Sequence, residues 1–258
     1  MKNQTVGFIG GGRVARIILN GWRRKGRLPA KVVVSDTNAE VLKALKAQFP
    51  EIKVIPNKNS LAASQGIVFV ALHPPVLKET LTAVKPSLKP NTVLVSLAPR
   101  ISLRDLSALS GLAKVVRMIP NAPSAVNEGY NPLAFSTAFS PSEKKDLLNF
   151  LEVLGKCPEV EEVKLEAYAM LTAMGPTYLW FQLYELEDLA QSFGLSAKEA
   201  RRGIERMVMG SLKTMTRSGL SPAGVMDLIP VKPIGEAEED IRRIYREKLT
   251  GLYNKLKR

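Results

Sequence analysis

The chain has 258 residues, 45% apolar and 24% charged, and 37 basic against 24 acidic side chains leave a net charge of +13. That is enough apolar material for one large or two modest folded domains. The longest apolar run, Ile67–Leu72, falls far short of the roughly 20 residues of a membrane-spanning helix, so no membrane partner is expected.

One cysteine, Cys157, and one histidine, His73, exclude a disulfide framework, a thiolate cluster and a multi-histidine metal site. No metal is therefore expected. The opening Met1–Thr5 runs straight into a strand-like segment, so no signal peptide is read and a cytoplasmic setting is expected. Residues 1–30 carry Lys2, Arg13, Arg16, Arg23, Arg24, Lys25 and Arg27 and no acid. Elsewhere bases alternate with acids, as in Glu238-Glu239-Asp240-Ile241-Arg242-Arg243, the pattern of solvated helix faces. No aromatic–basic interleaving points to nucleic acid. A small molecule is the expected partner.

In chain order, Thr5–Ile9, Lys31–Ser35, Lys53–Ile55, Ile67–Ala71, Thr92–Leu97 and Lys114–Met118 read as strands. Arg13–Lys25, Ala39–Gln48, a short turn near Leu61–Ser64, Val76–Val84 and Ser102–Leu109 read as helical segments between them. This alternation implies parallel pairing with right-handed crossovers, hence an α/β doubly wound sheet. The strands are continuously apolar, as expected when both faces are covered.

After Pro120 the rhythm changes. Tyr130–Ser136 and Pro158–Val163 read as further strands, with a helix over Pro141–Leu154. From Lys164 only helices are predicted: Lys164–Met174, Pro176–Phe193, Ala197–Ser218, Pro222–Ile229 and Ala237–Leu256. Ser196 and Ser221 read as N-caps, Glu199 completing a capping box. The expected domains are 1–163 and 164–258. The stripe Tyr178, Phe181, Leu183, Tyr184, Leu186, Leu189 needs more cover than a small helical domain offers, so a helical dimer interface is expected.

The segment Thr5–Ala15 is a buried strand, then Gly10-Gly11-Gly12-Arg13-Val14-Ala15, then a helix. Gly10 allows the tight turn, Gly12 lets backbone approach a pyrophosphate, and Ala15 permits close helix packing. The helix start then offers unpaired N–H groups to the phosphates. Asp36 follows Ala15 at about the spacing expected of a ribose-binding acid. It can accept from a 2′-hydroxyl, which tilts toward NAD; Ser35, Thr37 and Asn38 can meet either group, and the N-terminal basic cluster tilts toward NADP. The choice between NAD and NADP stays open.

Three further segments carry a family likeness: Ala71-Leu72-His73-Pro74, Arg117-Met118-Ile119-Pro120-Asn121-Ala122-Pro123, and Met174-Gly175-Pro176-Thr177-Tyr178. In that order, after the glycine turn, they resemble pyrroline-5-carboxylate reductase, whose segments read Val-Lys-Pro, Arg-x-Met-Pro-Asn-Thr-Pro and Gly-Ser-Gly-Pro-Ala-Tyr. Met209–Lys213 is similar to its Gly-Ala/Ser-x-Lys helix. The resemblance implies an N-terminal Rossmann domain, an all-helical dimerisation domain, and NAD(P)H-dependent reduction of a small cyclic imine held between nicotinamide and the helices of a dimer. It also implies that Gly10, Gly12, Arg13 and Val14 hold the pyrophosphate. Ala71, Leu72, His73 and Pro74 line the nicotinamide ribose, and Ala98 and Asn121 sit near the nicotinamide.

The departures are local. Where the family's loop reads Ser-Pro-Gly-Gly-Thr-Thr, this chain has Val231-Lys232-Pro233-Ile234-Gly235-Glu236; Pro99-Arg100 replaces Ala-Gly, and Met174 replaces a serine. The family's loop anchors the substrate carboxylate through backbone N–H groups, and Pro233 has none to offer.

A protonated imine needs little beyond placement against the nicotinamide and exclusion of water. The candidate catalytic residues are His73 (proton donor or cofactor wall), Tyr178 (substrate contact or core) and Lys232 (point-charge carboxylate anchor or exposed turn lysine). Two alternatives remain beside the imine reductase: a hydroxy-acid-type dehydrogenase acting on a carbonyl, and a dinucleotide-binding protein without turnover.

Overall fold

The apolar runs set the sheet. In the computed structural model, which describes residues 4–257, β1 (Thr5–Ile9) is central and pairs in parallel with both β2 (Lys31–Asp36) and β4 (Ile67–Val70). The sequence expectations for Met1, Lys2 and Asn3 lie outside the described residues. β3 (Lys53–Pro56), β5 (Val93–Ser96), β6 (Val115–Met118) and β8 (Leu133–Phe135) complete the order β3-β2-β1-β4-β5-β6-β8, with β8 antiparallel to β6. Strand order reverses between β1 and β4, so the crevice outside their carboxyl ends is where an open α/β sheet binds ligand.

The helices α1 (Arg13–Arg24), α2 (Ala39–Gln48), α3 (Asn59–Ala63), α4 (Pro74–Val84) and α5 (Leu103–Ser110) form the crossovers. They bury two apolar layers: Phe8, Trp22 and Phe69 anchor one, with Phe8 and Phe69 stacked at 4.9 Å, and Ile9, Val68, Leu77 and Leu94 belong to the other.

Two expected strands are replaced by shorter pieces. The stretch expected as one strand over 130–136 splits into β7 (Gly129–Tyr130) and β8, because Pro132 has no N–H for a ladder. The strand expected over 158–163 is a single bridge, Glu159 to Leu133, followed by a 3₁₀ turn at Glu162–Lys164; only β9 (Gly155–Lys156) precedes it, paired to β7. The Pro158 carbonyl and the Val160 N–H both pair with Leu133, and the pairing ends where the 3₁₀ turn begins. Helix α6 (Pro141–Leu151) tightens into a 3₁₀ turn over Glu152–Leu154, and α7 (Leu165–Tyr168) passes into a π-turn over Ala169–Ala173 in which the Met174 N–H reaches the Ala169 carbonyl at 3.0 Å.

Contacts divide the chain into two compact units, one running to Met174 and including the chain end from Tyr253, the other Gly175–Leu252. The sequence boundary after Val163 falls earlier. Residues 165–173 group with the sheet because Leu165 and Ala169 pack on Ile119 and Ala134. The second unit holds α8 (Gly175–Ser192), α9 (Ala197–Arg217), α10 (Pro222–Asp227) and most of α11 (Glu238–Lys257). Ser196 and Glu199 form the capping box read from sequence, and Ser221 caps α10.

Candidate functional site

The glycine turn is built by three constraints. Gly10 has φ +100°, a left-handed conformation that a side chain would strain, and a β-carbon there would lie 2.6 Å from the Ala71 carbonyl oxygen. Its N–H donates to the Ser35 carbonyl at 2.8 Å. Asp36 then braces the turn: Oδ2 accepts from the Gly11 N–H at 2.7 Å and Oδ1 from the Asn38 N–H at 2.8 Å. Asn38 in turn caps α2, accepting from Glu40 and Val41.

Gly12 differs in kind. A β-carbon there would meet nothing within 4 Å, no side chain caps the start of α1, and its first turn carries no acid. The space in front of Gly12 and the N–H groups of Arg13 and Val14 thus form an open cradle with a positive helix-dipole end. These residues fit the diphosphate of a dinucleotide.

Other candidates fall differently. Ser35 is fully buried and its hydroxyl is enclosed without a partner, so it supplies its carbonyl to the turn rather than a hydroxyl to a ligand. Thr37 is exposed beside Asp36. Ala71 and Leu72 lie against Gly10. His73 is the exposed N-cap of α4, makes no capping bond, and is followed by Pro74, which opens the helix. Ala98 is buried after β5. Arg100 follows with φ +69°, so this chain keeps a left-handed turn on a residue that is not glycine.

Asn121 is committed to its own loop. Its N–H donates to Asn131 Oδ1 at 3.2 Å, its Oδ1 accepts from the Tyr130 N–H at 3.2 Å and the Ser124 hydroxyl at 3.3 Å, and its Nδ2 donates to the Thr172 carbonyl at 3.3 Å. It positions the loop after β6 through the neighbouring π-turn.

Sequence reasoning quoted Arg117 without a role. Its guanidinium is buried, with Nη1 at 3.0 Å from Glu162 Oε1 and Nη2 at 2.5 Å from Glu166 Oε1. The same Glu162 oxygen accepts from the Leu103 N–H at 2.7 Å, and Glu166 reaches the Arg100 N–H at 3.5 Å. One buried cation therefore ties β6, the 162–166 segment and the loop after β5. A buried arginine flanked by two glutamates on a helix turn is the signal, but the pairing spans 45 and 49 residues, beyond any local pattern.

In the second unit, Tyr178 packs edge-on against Tyr245 with ring centres 6.0 Å apart, and the Tyr245 hydroxyl donates to the Tyr178 carbonyl at 3.4 Å. Burial, then the neighbouring Tyr245, pushes the Tyr178 phenol above its usual range. At neutral pH it is a hydrogen-bond donor, not a base. Lys232 is exposed and borders a cavity of about 670 Å³ that also takes in Ile234, Ile241, Arg242 and Tyr245. Cys157 is buried, and burial pushes its thiol up to about 12, which leaves it unreactive.

Residues 5–100 match the family described as NADP oxidoreductase, coenzyme F420-dependent. Over 241 residues the chain is 27% identical to pyrroline-5-carboxylate reductase of Escherichia coli (strain K12), covering 93% of this chain and 89% of that protein. It is 29% identical over 225 residues to pyrroline-5-carboxylate reductase 3 of Bos taurus, covering 85% and 71%.

Among solved structures, Plasmodium falciparum pyrroline carboxylate reductase with NADP bound superposes with a TM-score of 0.76 at 19% identity, covering 100% of this chain and 95% of that one. The Coxiella burnetii pyrroline-5-carboxylate reductase gives 0.70 at 24%, covering 99% and 95%. The chain thus has the Rossmann-plus-helices fold of these enzymes and is similar in sequence, along most of its length, to pyrroline-5-carboxylate reductases.

Proposed function

We propose that this chain is an NAD(P)H-dependent reductase that delivers hydride to the C=N bond of a small cyclic imine of the pyrroline-5-carboxylate type. The observation that carries the proposal is the open cradle at Gly12, beside a turn that only glycine at position 10 can make. Gly10 and Gly12 let the chain approach the diphosphate, and the N–H groups of Arg13 and Val14 bind it. Asp36 and Thr37 face the adenosine ribose, while Ala71, Leu72, His73 and Pro74 line the far ribose. When bound, the dihydronicotinamide supplies the hydride.

The chain's own part is placement and exclusion of water. A protonated imine is already electrophilic, so no strong acid is required. Tyr178, neutral at working pH, is the candidate hydrogen-bond donor to substrate, and Lys232 the candidate carboxylate anchor.

A homodimer, cytoplasmic in setting, belongs to the same proposal. Among the described residues from Gly175 on, only Glu187 and Ala200 are buried, while Trp180, Phe181, Tyr184, Leu212 and Met215 are exposed. Four helices with so little core of their own require cover, and a second copy supplies it symmetrically.

The test is oxidation of NADPH and NADH across cyclic imines and 2-oxo acids with the purified full chain. Turnover of an imine is expected. Turnover of 2-oxo acids alone would replace the reading with a carbonyl dehydrogenase, and binding without turnover on either class would refute an enzyme.

A further inference from the structure

The end of β2 and the residues after it, Asp36-Thr37-Asn38, carry no cation, so no positive charge there pairs a 2′-phosphate. The cations lie on α1 instead. Arg13 and Arg16, three residues apart, share a helix face and border a cavity of about 420 Å³ between the glycine turn and α2, along with Gly11, Gly12, Glu40 and Val41. Both arginines are exposed, and among the described residues neither makes an ion pair.

The carboxylate that opposes a 2′-phosphate in a dinucleotide site is Asp36. Here each of its oxygens takes a backbone N–H, from Gly11 and from Asn38, so two amide dipoles counter its charge and hold it to the turn. Gly11 both touches Asp36, its ideal β-carbon lying 3.6 Å from the Asp36 Cβ, and walls the cavity. The cavity therefore adjoins Asp36 across Gly11.

We propose that Arg13 and Arg16 read the 2′-phosphate of NADP(H) in this cavity and make NADP(H) the preferred cofactor. The inference rests on the dinucleotide-binding reading of the glycine turn and adds to it which cofactor is chosen and by which residues. A 2′-phosphate carries about −1.5 to −2 charges at pH 7, matched by two guanidinium forks suited to phosphate oxygens. A 2′-hydroxyl matches neither. Glu40 on the facing wall is the one opposing charge among the residues bordering the cavity.

The test is titration of the full chain with NADPH and NADH, read by nucleotide fluorescence, with 2′,5′-ADP and 5′-AMP as competitors. NADPH is expected to bind at least about tenfold more tightly than NADH, and 2′,5′-ADP to compete better than 5′-AMP. In Arg16→Gln, and further in Arg13→Gln/Arg16→Gln, the NADPH-to-NADH affinity ratio falls toward one. Arg16→Lys retains part of it, and Glu40→Gln raises it. Both arginines are exposed, so an unchanged melting temperature confirms that each variant folds.

Equal affinities in the parent chain, or a double variant that weakens both nucleotides alike, would overturn the proposal while leaving the glycine turn as a dinucleotide site. Binding of neither nucleotide would overturn both.

Discussion

Removing the Arg117 side chain isolates a buried cation that holds two glutamates in the sheet unit. In Arg117→Met the apolar stem is kept and the cation lost, leaving Glu162 and Glu166 facing each other across the space it filled. Breaking a buried ion pair by deleting one partner costs about 3–5 kcal/mol. Glu166 is 11% exposed and pays fully, whereas Glu162, at 32%, is partly rehydrated and keeps the Leu103 N–H. The lower end, about 3 kcal/mol, is expected, and for a unit of this size that is a fall of roughly 6–12 °C in melting temperature.

Calorimetry on the full chain measures it. The double variant Arg117→Met/Glu166→Met should recover much of the loss, because an apolar pair tolerates burial where a lone carboxylate does not. Arg117→Lys, a point charge without the fork, should fall between. A single variant melting within about 2 °C of the parent would show that the carboxylates are well solvated and that the network contributes nothing.

Three further outcomes follow from the geometry. Gly12→Val should fold with an unchanged melting temperature, since nothing lies within 4 Å of the added carbon, yet lose at least about tenfold in NAD(P)H affinity; undiminished binding would remove the diphosphate from this turn. Cys157, with its thiol raised to about 12 by burial, should resist iodoacetamide at pH 8. The folded state binds that proton more tightly than the unfolded one, so stability is lost as pH rises from about 9 toward 12, and Cys157→Ala should flatten that alkaline limb. Light scattering at micromolar concentration should report a dimer, and Phe181→Asp should disrupt it; a stable parent monomer would mean that another cover exists for α8.

The parts legible in the sequence were those set by neighbours along the chain. The glycine turn, its flanking strand and helix, the Ser196–Glu199 capping box and the alternation over the first 118 residues all rest on contacts a few residues apart. Where Pro132 removed one N–H and where the chain turned at Glu162–Lys164, the apolar pattern overstated strand length. The remainder depends on distant partners. The partners that hold Asn121, namely Asn131, Ser124 and Thr172, lie up to 51 residues away in sequence. Ser35 looks like a ribose ligand until the pleat turns its hydroxyl inward. The preference conferred by Arg13 and Arg16 appears only once α2 is seen to face α1 across the cavity.

The substituted loop leads to the most exposed prediction: this chain should reduce pyrroline-5-carboxylate poorly beside a relative with an intact Ser-Pro-Gly-Gly-Thr-Thr loop. A carboxylate drawn from water into a closed site must regain its hydrogen bonds. Pro233 offers none, the Gly235 N–H is spent on the Lys232 carbonyl at 3.0 Å, and the Ala237 N–H on the Ile234 carbonyl at 3.1 Å. Each missing partner costs about 1–3 kcal/mol, so two cost roughly 2–6 kcal/mol, or about 30- to 10⁴-fold in kcat/KM. The Lys232 ammonium offsets part of this if it reaches the carboxylate, in which case Lys232→Ala should raise KM with little change in kcat. Steady-state kinetics with pyrroline-5-carboxylate and with cyclic imines lacking the carboxylate separate the two contributions. The imines without a carboxylate should lose little, because they never needed the missing donors. A kcat/KM for pyrroline-5-carboxylate of about 10⁴ M⁻¹s⁻¹ or above, unchanged in Lys232→Ala, would show that some other group holds the carboxylate and that the loop substitution is neutral.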